Sequence, residues 1–210
     1  MFGDDYQDFT ADVPAFTLGR FLAHAELFRQ VLGIPGHIVD IGVGSGGSTF
    51  AWAKLCRLFF DGSKQVYGFD TFSGFPTVCA EDGKGPHVSR GALNFGRTPF
   101  KHAAAPRNAG LPITFIEGDI ERTLPAWLNA MGPEFRVSLL NLDADLYAPT
   151  KTALTYLMPR MSPGGVVILD EYDVPDFPGE KQAVIDYFGH NMPVLRDFYW
   201  CKNPSRYFFA

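Results

Sequence analysis

Short apolar segments alternate along the chain with segments whose apolar residues recur at helical spacing. The apolar runs predict strands that are buried on both faces, as in a parallel sheet. The predicted strands are 37–41, 65–69, 113–117, 137–142 and 165–169. The predicted helices are 18–32, 48–60, 124–130, 149–158 and 178–188, the last two beginning with a proline. This alternation predicts an α/β fold with one parallel sheet covered by helices on both faces.

Two stretches depart from the alternation. Residues 194–200 and 206–209 both have strand character, and the turn between them is too short for a helix, so a closing antiparallel pair is predicted. In residues 77–111, Gly, Pro, His and Arg interrupt any period, and no helix is predicted. This second stretch is either a mobile lid over a site or a solvated surface loop.

The composition fits one globular domain. The chain has 210 residues, of which 46% are hydrophobic and 20% charged, which is enough for one core and short for two. We therefore expect a single domain over residues 1–210, with 1–36 as an N-terminal helical segment. The net charge of −5 and the lack of a Lys/Arg run argue against nucleic acid as a partner.

The cysteines and the N-terminus bear on the cellular compartment. Cys56, Cys79 and Cys201 are odd in number and far apart, so we expect free thiols rather than disulfides or a metal clip. The acidic N-terminus lacks the basic and apolar parts of a signal peptide, and no apolar run approaches the length of a membrane span. A cytoplasmic protein without a membrane partner is therefore expected.

A glycine-rich segment, residues 39–48, joins the first predicted strand to the following helix. Gly42, Gly44 and Gly47 match the dinucleotide pattern G-x-G-x-x-G, so a nicotinamide-dependent oxidoreductase is one alternative. Asp40 stands two residues before the first glycine, where a carboxylate would repel a pyrophosphate and attract an ammonium group. Because the methionine part of S-adenosylmethionine carries an ammonium, the loop favours that ligand.

Two further acids suit an adenosine without phosphates. Asp70 ends the second predicted strand, where a carboxylate meets the ribose hydroxyls in such folds. Asp119 follows the third strand and would accept a hydrogen bond from the adenine amino group. Capping of the next helix is the alternative role for Asp119.

Four carboxylates follow two neighbouring strands: Asp143, Asp145, Asp170 and Glu171. The carboxyl ends of parallel strands share one edge, so these like charges converge unless a cation or raised pKa values offset them. Oxygen ligands favour magnesium, calcium or manganese, and such an ion would activate and orient a substrate hydroxyl. Capping of loops and helices is the alternative. The general base is left open among His87, His102 and Asp145.

Several segments together resemble the macrocin O-methyltransferase family, whose members methylate sugar hydroxyls in antibiotic and nucleotide-sugar pathways. They are DIGVGSGGST at 40–49, YGFDTFSGFP at 67–76, EGD at 117–119 with TLP at 123–125, LDADLY at 142–147, and SPGG at 162–165 leading to DEY at 170–172. The patterns D-x-F-x-G-x-P after the second strand and D-x-D-L-Y after the fourth are far more specific than the glycine loop.

The resemblance implies a Rossmann-like methyltransferase fold, with a seven-stranded sheet whose last strand is antiparallel. It implies S-adenosylmethionine contacts from Asp40, Gly42, Gly44, Asp70 and Asp119, and it implies the magnesium ligands Asp143, Asp170 and Glu171. Three features depart from the family: a short N-terminus, no helix-bearing lid in 77–111, and Glu171 where an aspartate is common.

We therefore predict an S-adenosylmethionine-dependent O-methyltransferase that acts on a small-molecule hydroxyl acceptor, a sugar or a nucleotide sugar, with Mg²⁺. A catechol-type acceptor is also compatible with the sequence, as is a non-catalytic S-adenosylmethionine-binding protein. The predicted catalytic residues are Asp143, Asp145 and His102. The predicted cofactor contacts are Asp40, Gly42, Gly44, Ser48, Asp70, Thr71, Phe72, Asp119, Ile120 and Asp143. The aromatic residues of 194–210 would serve either a homo-oligomer or core packing.

Overall fold

The computed structural model describes residues 4–60 and 63–210, so residues 1–3 of the predicted N-terminal segment lie outside the described residues. The helices are α1 Asp4–Asp12, α2 Ala15–Gln30, α3 Gly47–Phe60, α4 Thr98–Ala104, α5 Ile120–Met131, α6 Tyr147–Leu157 and α7 Pro178–Phe188. The strands are β1 His37–Ile41, β2 Val66–Asp70, β3 Ile113–Glu117, β4 Val137–Leu142, β5 Met161–Leu169 and β6 Arg206–Phe209. Among these helices, none has the length and hydropathy that a membrane span requires.

The strands form one sheet in the order β3-β2-β1-β4-β5-β6, parallel except for β6, which runs antiparallel to β5. The chain continues from β1 to β2 on one side of β1, and the later strand β4 pairs with β1 on its other side. In open α/β sheets, ligands bind beyond the carboxyl ends of the strands at such a reversal. The fold therefore directs attention to the ends of β1 and β4.

Helices cover both faces because neighbouring strand residues alternate between two buried clusters. Ile41, Leu140 and Leu142 pack in the cluster that contains residues of α5, α6 and α7. Ile38 and Leu139 pack in the cluster that contains residues of α2 and α3. The strand residues of both clusters are buried, as parallel strands between two helix layers must be. The predicted Rossmann-like α/β class is thus confirmed.

The sheet has six strands in the described part of the chain rather than seven. The predicted strand 194–200 is irregular, and it pairs with β6 at one position only, where Arg196 and Tyr207 exchange backbone hydrogen bonds of 2.8 and 2.9 Å. The pairing stops there because the chain turns back at once, with Cys201 N donating to Phe198 O at 3.0 Å. The closing antiparallel partner of β6 is therefore β5.

Several helix predictions need correction. The N-terminal helical segment contains two helices, α1 and α2, and α2 begins at Ala15 rather than at Leu18. Residues 98–104 form α4 inside the stretch predicted to lack a helix. Helix α5 begins at Ile120 rather than Leu124, because Asp119 caps it by accepting a hydrogen bond from Glu121 N at 3.1 Å. Pro149 is the third residue of α6 rather than the first, whereas Pro178 does begin α7.

Leu140 tests the role of the central strand. Its side chain is fully buried in the cluster under α5 and α6, so Leu140→Ala should lower the free energy of unfolding by about 2–5 kcal/mol. Leu58 on α3 is 76% exposed, and Leu58→Ala should change it by no more than about 0.5 kcal/mol. Urea unfolding followed by circular dichroism measures both, and equal effects would contradict this account of the core.

Candidate active site

A cavity of about 620 Å³ opens at the carboxyl ends of the strands, a size suited to a small-molecule ligand. Its walls come from the glycine-rich loop, the ends of β2 and β4, the start of α5, and the N-terminal helices α1 and α2. The predicted site residues that line it are Gly42, Gly44, Ser48, Asp70, Thr71, Asp119, Ile120, Asp143 and Asp145. The fold therefore brings most of the predicted residues to one place.

The backbone hydrogen bonds between neighbouring strands continue beyond the ends of the strands. Gly42 N donates to Phe69 O and Asp143 N donates to Ile41 O, both at 2.9 Å, and Asp170 N donates to Leu142 O at 3.0 Å. The residues that follow adjacent strands are consequently held side by side. This register places the Asp143 and Asp170 side chains next to each other although 27 residues of sequence separate them.

The glycine-rich loop is closed by Asp70. Gly44 N donates to Asp70 Oδ2 at 2.8 Å, and Phe72 N donates to Asp70 Oδ1 at 2.7 Å. Gly42 has φ 90° and Gly44 has φ 54°, conformations that favour glycine. Burial raises the pKa of the Asp70 carboxyl above its ordinary value, although these backbone hydrogen bonds oppose the rise. The loop and the end of β2 thus form one rigid edge of the cavity.

Asp40 does not line the cavity, in contrast to its predicted contact with the ammonium of the cofactor. Its side chain is fully buried and accepts hydrogen bonds from Ser48 Oγ at 3.0 Å, Thr49 Oγ1 at 2.5 Å and Asn141 Nδ2 at 2.7 Å. Burial raises its pKa to about 6 despite these bonds. The carboxyl therefore ties β1 to the first turn of α3 and to β4, behind the loop rather than above it.

Four other predicted site residues do not line the cavity: Phe72, His102, and the buried acids Asp170 and Glu171, which adjoin Asp143. Phe72 is buried at φ 51°, and its ring packs against Phe100 at 4.7 Å and Phe115 at 5.8 Å. His102 is exposed on α4 with its ring 6.0 Å from Phe50. Packing explains Phe72, whereas His102, like His87, is exposed at a position outside the cavity lining.

The carboxylates beyond β4 and β5 do converge. Asp143, Asp170 and Glu171 each offer an oxygen atom within 4.8 Å of the others. Asp170 is 1% exposed and Glu171 6% exposed, and neither Asp170 Oδ1 nor Glu171 Oε2 has a hydrogen-bond partner among the described residues. Burial, followed by the charge of Asp170, raises the pKa of Asp143 and of Glu171 well above the usual range. Such groups are costly to bury without a compensating cation.

Asp145 projects into the cavity from an unusual backbone conformation. It has φ 61°, a region that side chains other than glycine adopt at a cost, and such outliers cluster at functional sites. Burial, followed by the charge of Asp170, raises its pKa to about 7. A carboxyl with that pKa exchanges protons near neutral pH.

Arg20 is a site residue that the sequence pattern did not predict. It lies on α2, and its Nη2 atom donates to Asp143 Oδ2 at 2.8 Å and to Asp170 Oδ2 at 2.9 Å. Burial lowers its pKa, but the surrounding carboxylates raise it by more, so the guanidinium stays charged. Its one signal in the sequence is that a cation interrupts the apolar first half of this helix, in a chain with an excess of acids.

The segment 77–111 is attached to the site wall at two points. Asp82 is buried and accepts hydrogen bonds from Tyr147 N, at the start of α6, at 2.6 Å and from Cys79 N at 2.8 Å. The Phe95 ring lies over the glycine-rich loop, and both Leu93 and Phe95 line the cavity. The segment therefore covers part of the site, as a lid would.

A protein-family model and two curated O-methyltransferases match the chain. A family model described as macrocin-O-methyltransferase matches residues 20–193. The chain is 34% identical, over 166 residues, to an 8-demethyl-8-(2,3-dimethoxy-alpha-L-rhamnosyl)-tetracenomycin-C 4'-O-methyltransferase from Streptomyces olivaceus, and the match covers 75% of the chain and 59% of that protein. It is 29% identical over 167 residues to a mycinamicin III 3''-O-methyltransferase from Micromonospora griseorubida, covering 74% of the chain and 61% of that protein. The chain thus spans about 60% of the length of these curated relatives.

Two solved structures superpose on the chain over most of its length. The crystal structure of CalS11, a calicheamicin methyltransferase, superposes with a TM-score of 0.82 at 28% identity, over 97% of this chain and 85% of that one. The apo structure of CalS11, described as a TDP-rhamnose 3'-O-methyltransferase, gives a TM-score of 0.70 at 26% identity, over 97% of this chain and 86% of that one.

Gly42 offers a test of the loop geometry. A Cβ atom on Gly42 would lie 1.8 Å from Asp143 O, so Gly42→Ala should lower the free energy of unfolding by about 2 kcal/mol or more. A Cβ atom on Gly47, at the start of α3, would have nothing within 4 Å, and Gly47→Ala is the matched control with no loss of stability. Thermal unfolding measures both, and a Gly42→Ala protein as stable as the control would refute the contact between the loop and Asp143.

Proposed function

Because the chain belongs to the macrocin O-methyltransferase family, we propose that it transfers the methyl group of S-adenosylmethionine to a hydroxyl oxygen of a sugar, assisted by a divalent metal ion. One observation carries the proposal. The glycine-rich loop, Asp143 and Asp145 line a single cavity, Gly42 is adjacent to Asp143, and Asp143 adjoins the buried carboxylates of Asp170 and Glu171. A nucleoside-type methyl donor and a metal-held acceptor hydroxyl would therefore lie side by side.

The loop side of the cavity would hold the methyl donor. The positive φ angles of Gly42 and Gly44 allow the backbone to pass close beneath a ligand. Asp70 lines the cavity while it accepts hydrogen bonds from Gly44 N and Phe72 N, and we place the ribose hydroxyls beside this carboxylate. Asp119, Ile120 and Thr71 line the neighbouring wall, where we place the adenine. Ser48 lines the cavity while donating to Asp40.

The acidic side would hold the metal. Three carboxylate oxygens within 4.8 Å of one another, together with the buried unpartnered atoms Asp170 Oδ1 and Glu171 Oε2, form a donor set that suits a hard divalent ion. Asp143, Asp170 and Glu171 would be its ligands. When bound, such an ion lowers the pKa of a coordinated hydroxyl and orients its oxygen.

Methyl transfer needs an oxygen nucleophile in line with the methyl carbon and an acceptor for the hydroxyl proton. The methyl carbon forms a bond to the acceptor oxygen as its bond to the sulfonium sulfur breaks, leaving S-adenosylhomocysteine and a methyl ether. We assign the hydroxyl proton to the Asp145 carboxylate, which lines the cavity close to the acidic cluster.

The far wall of the cavity suggests the group that carries the sugar. Phe9, Phe16 and Phe21 of α1 and α2 line it and are 49%, 67% and 40% exposed. Such a wall suits an apolar group, so we propose a sugar attached to an apolar aglycone. One curated relative is named for a rhamnosyl-tetracenomycin acceptor.

Calorimetric titration tests the cofactor assignment. S-adenosylmethionine should bind both with Mg²⁺ and with a chelator, whereas NAD should not bind. Asp70→Ala should weaken S-adenosylmethionine binding by about 1–3 kcal/mol, because it removes a charged hydrogen-bond acceptor. The control is Asp176→Ala, at an exposed position outside the cavity. Binding of NAD instead of S-adenosylmethionine would overturn the proposed function, and an unchanged affinity in Asp70→Ala would remove Asp70 from the ribose site.

The role of Asp145 as the proton acceptor can be tested separately from the binding of S-adenosylmethionine. Asp145→Asn preserves the shape of the side chain but cannot accept the proton, so turnover of a glycosylated aromatic acceptor should fall by about 100-fold or more. The affinity for S-adenosylmethionine should stay within a few fold. Product S-adenosylhomocysteine is measured in parallel with a nucleoside-diphosphate sugar as acceptor. Full turnover in the variant would exclude Asp145 as the base, and a preference for the nucleotide sugar would contradict the acceptor assignment.

A further inference from the structure

Arg20 binds two of the carboxylates proposed to hold the metal ion, and the inference drawn from it rests on the proposed function. One atom of its guanidinium, Nη2, donates to both Asp143 Oδ2 at 2.8 Å and Asp170 Oδ2 at 2.9 Å. These carboxylates are two of the three proposed metal ligands. The arginine comes from α2, outside the sheet, 123 and 150 residues before its two partners.

Arginine and metal ion would share the negative charge of the same carboxylates. Mg²⁺ binds oxygen at about 2.1 Å, so an ion bound to Asp143 Oδ2 would lie less than about 5 Å from Arg20 Nη2, given the 2.8 Å hydrogen bond. Two cations at that separation repel each other. Asp170 Oδ1 and Glu171 Oε2 have no hydrogen-bond partner among the described residues and are available to a metal while Arg20 holds the Oδ2 atoms. The competition is therefore one of charge, and each cation weakens the binding of the other.

Arg20 lies outside the buried part of α2. The buried residues of this helix, Ala23, His24, Leu27 and Phe28, all lie beyond Arg20. On the N-terminal side of Arg20, Phe16 is 67% exposed, and Pro14 at the N-cap provides no side-chain hydrogen bond. The Arg20 side chain itself is 32% exposed and lines the cavity. A substitution at Arg20 therefore changes the charge of the cluster without removing a buried side chain of the helix.

We propose that Arg20 is a built-in counter-cation, which neutralises part of the carboxylate cluster in the metal-free protein and opposes the binding of a divalent ion there. The metal affinity of the site is then set by competition with this side chain. The arginine stabilises the folded protein without metal, and it weakens metal binding.

Calorimetric titration with Mg²⁺ and thermal unfolding in a chelator test this role. Arg20→Gln should bind Mg²⁺ at least ten-fold more tightly than the wild-type protein and should unfold several degrees lower when metal is absent. Arg20→Met, which retains an apolar stem of similar length, should show the same gain in affinity and serves if Arg20→Gln does not fold. Arg20→Lys keeps the competing charge and should stay within a few fold of the wild type. Arg29→Gln, at an exposed position in the last turn of the same helix, is the matched control and should leave both quantities unchanged.

The outcomes separate this inference from the proposed function. If Mg²⁺ binds the wild type and the neutral variants equally, or binds the variants more weakly, the role of Arg20 is refuted while the methyltransferase assignment stands. If S-adenosylmethionine binds but no variant takes up Mg²⁺, both the metal site and the role of Arg20 are refuted. If S-adenosylmethionine does not bind but the neutral variants still gain affinity for Mg²⁺, the role of Arg20 stands and the proposed function fails.

Discussion

The repulsion among the carboxylates beyond β4 and β5 is the constraint on which the site depends. The strands are buried on both faces, so their polar residues can appear only at the ends, and the ladder register sets Asp143 beside Asp170. Oxygen atoms within 4.8 Å of one another repel by about 3 kcal/mol or more per ionised pair at an effective dielectric constant near 20. The charge of Arg20 offsets part of this repulsion, and burial raises the pKa of Asp143 and of Glu171. The cluster therefore favours any additional cation that can reach it.

The sheet could be predicted from the sequence because its strands follow local rules. An apolar run flanked by turn residues is sufficient to predict a buried strand, and β1, β3 and β4 have the predicted bounds. The parallel arrangement then determined which edge the acids share. Helix α4 could not be predicted in the same way, because it has seven residues and no apolar period. The same holds for 194–200, whose strand character is real but whose backbone turns at Phe198 before a ladder can form.

The site was predictable where residues follow strands, and it was not predictable where a side chain reaches it from elsewhere. Asp70, Asp143 and Asp145 could be placed from strand ends alone. Arg20 could not, because no local pattern connects a helix before β1 with acids 123 and 150 residues later. Asp40 shows a different limit. Its proximity to the loop was evident, but the direction of its side chain depends on the hydroxyl groups of Ser48 and Thr49 and on Asn141. Spacing in the sequence gives the position of a carboxyl group but not its orientation.

The anchoring of the segment 77–111 by Asp82 has a consequence for chimeric proteins. Asp82 Oδ1 accepts the hydrogen bond from Tyr147 N, and it lies so close to α7 that a Cβ atom on Gly179 would be 2.1 Å away. Asp82, the start of α6 and Gly179 therefore pack against one another. A segment transplanted from a relative to change acceptor preference would adopt the same position only if it supplied an aspartate in place of Asp82 and if α7 of the recipient carried a glycine in place of Gly179. In such an exchange, the middle of the segment around Leu93 and Phe95 can vary, whereas the first turn, which contains Asp82, must be kept.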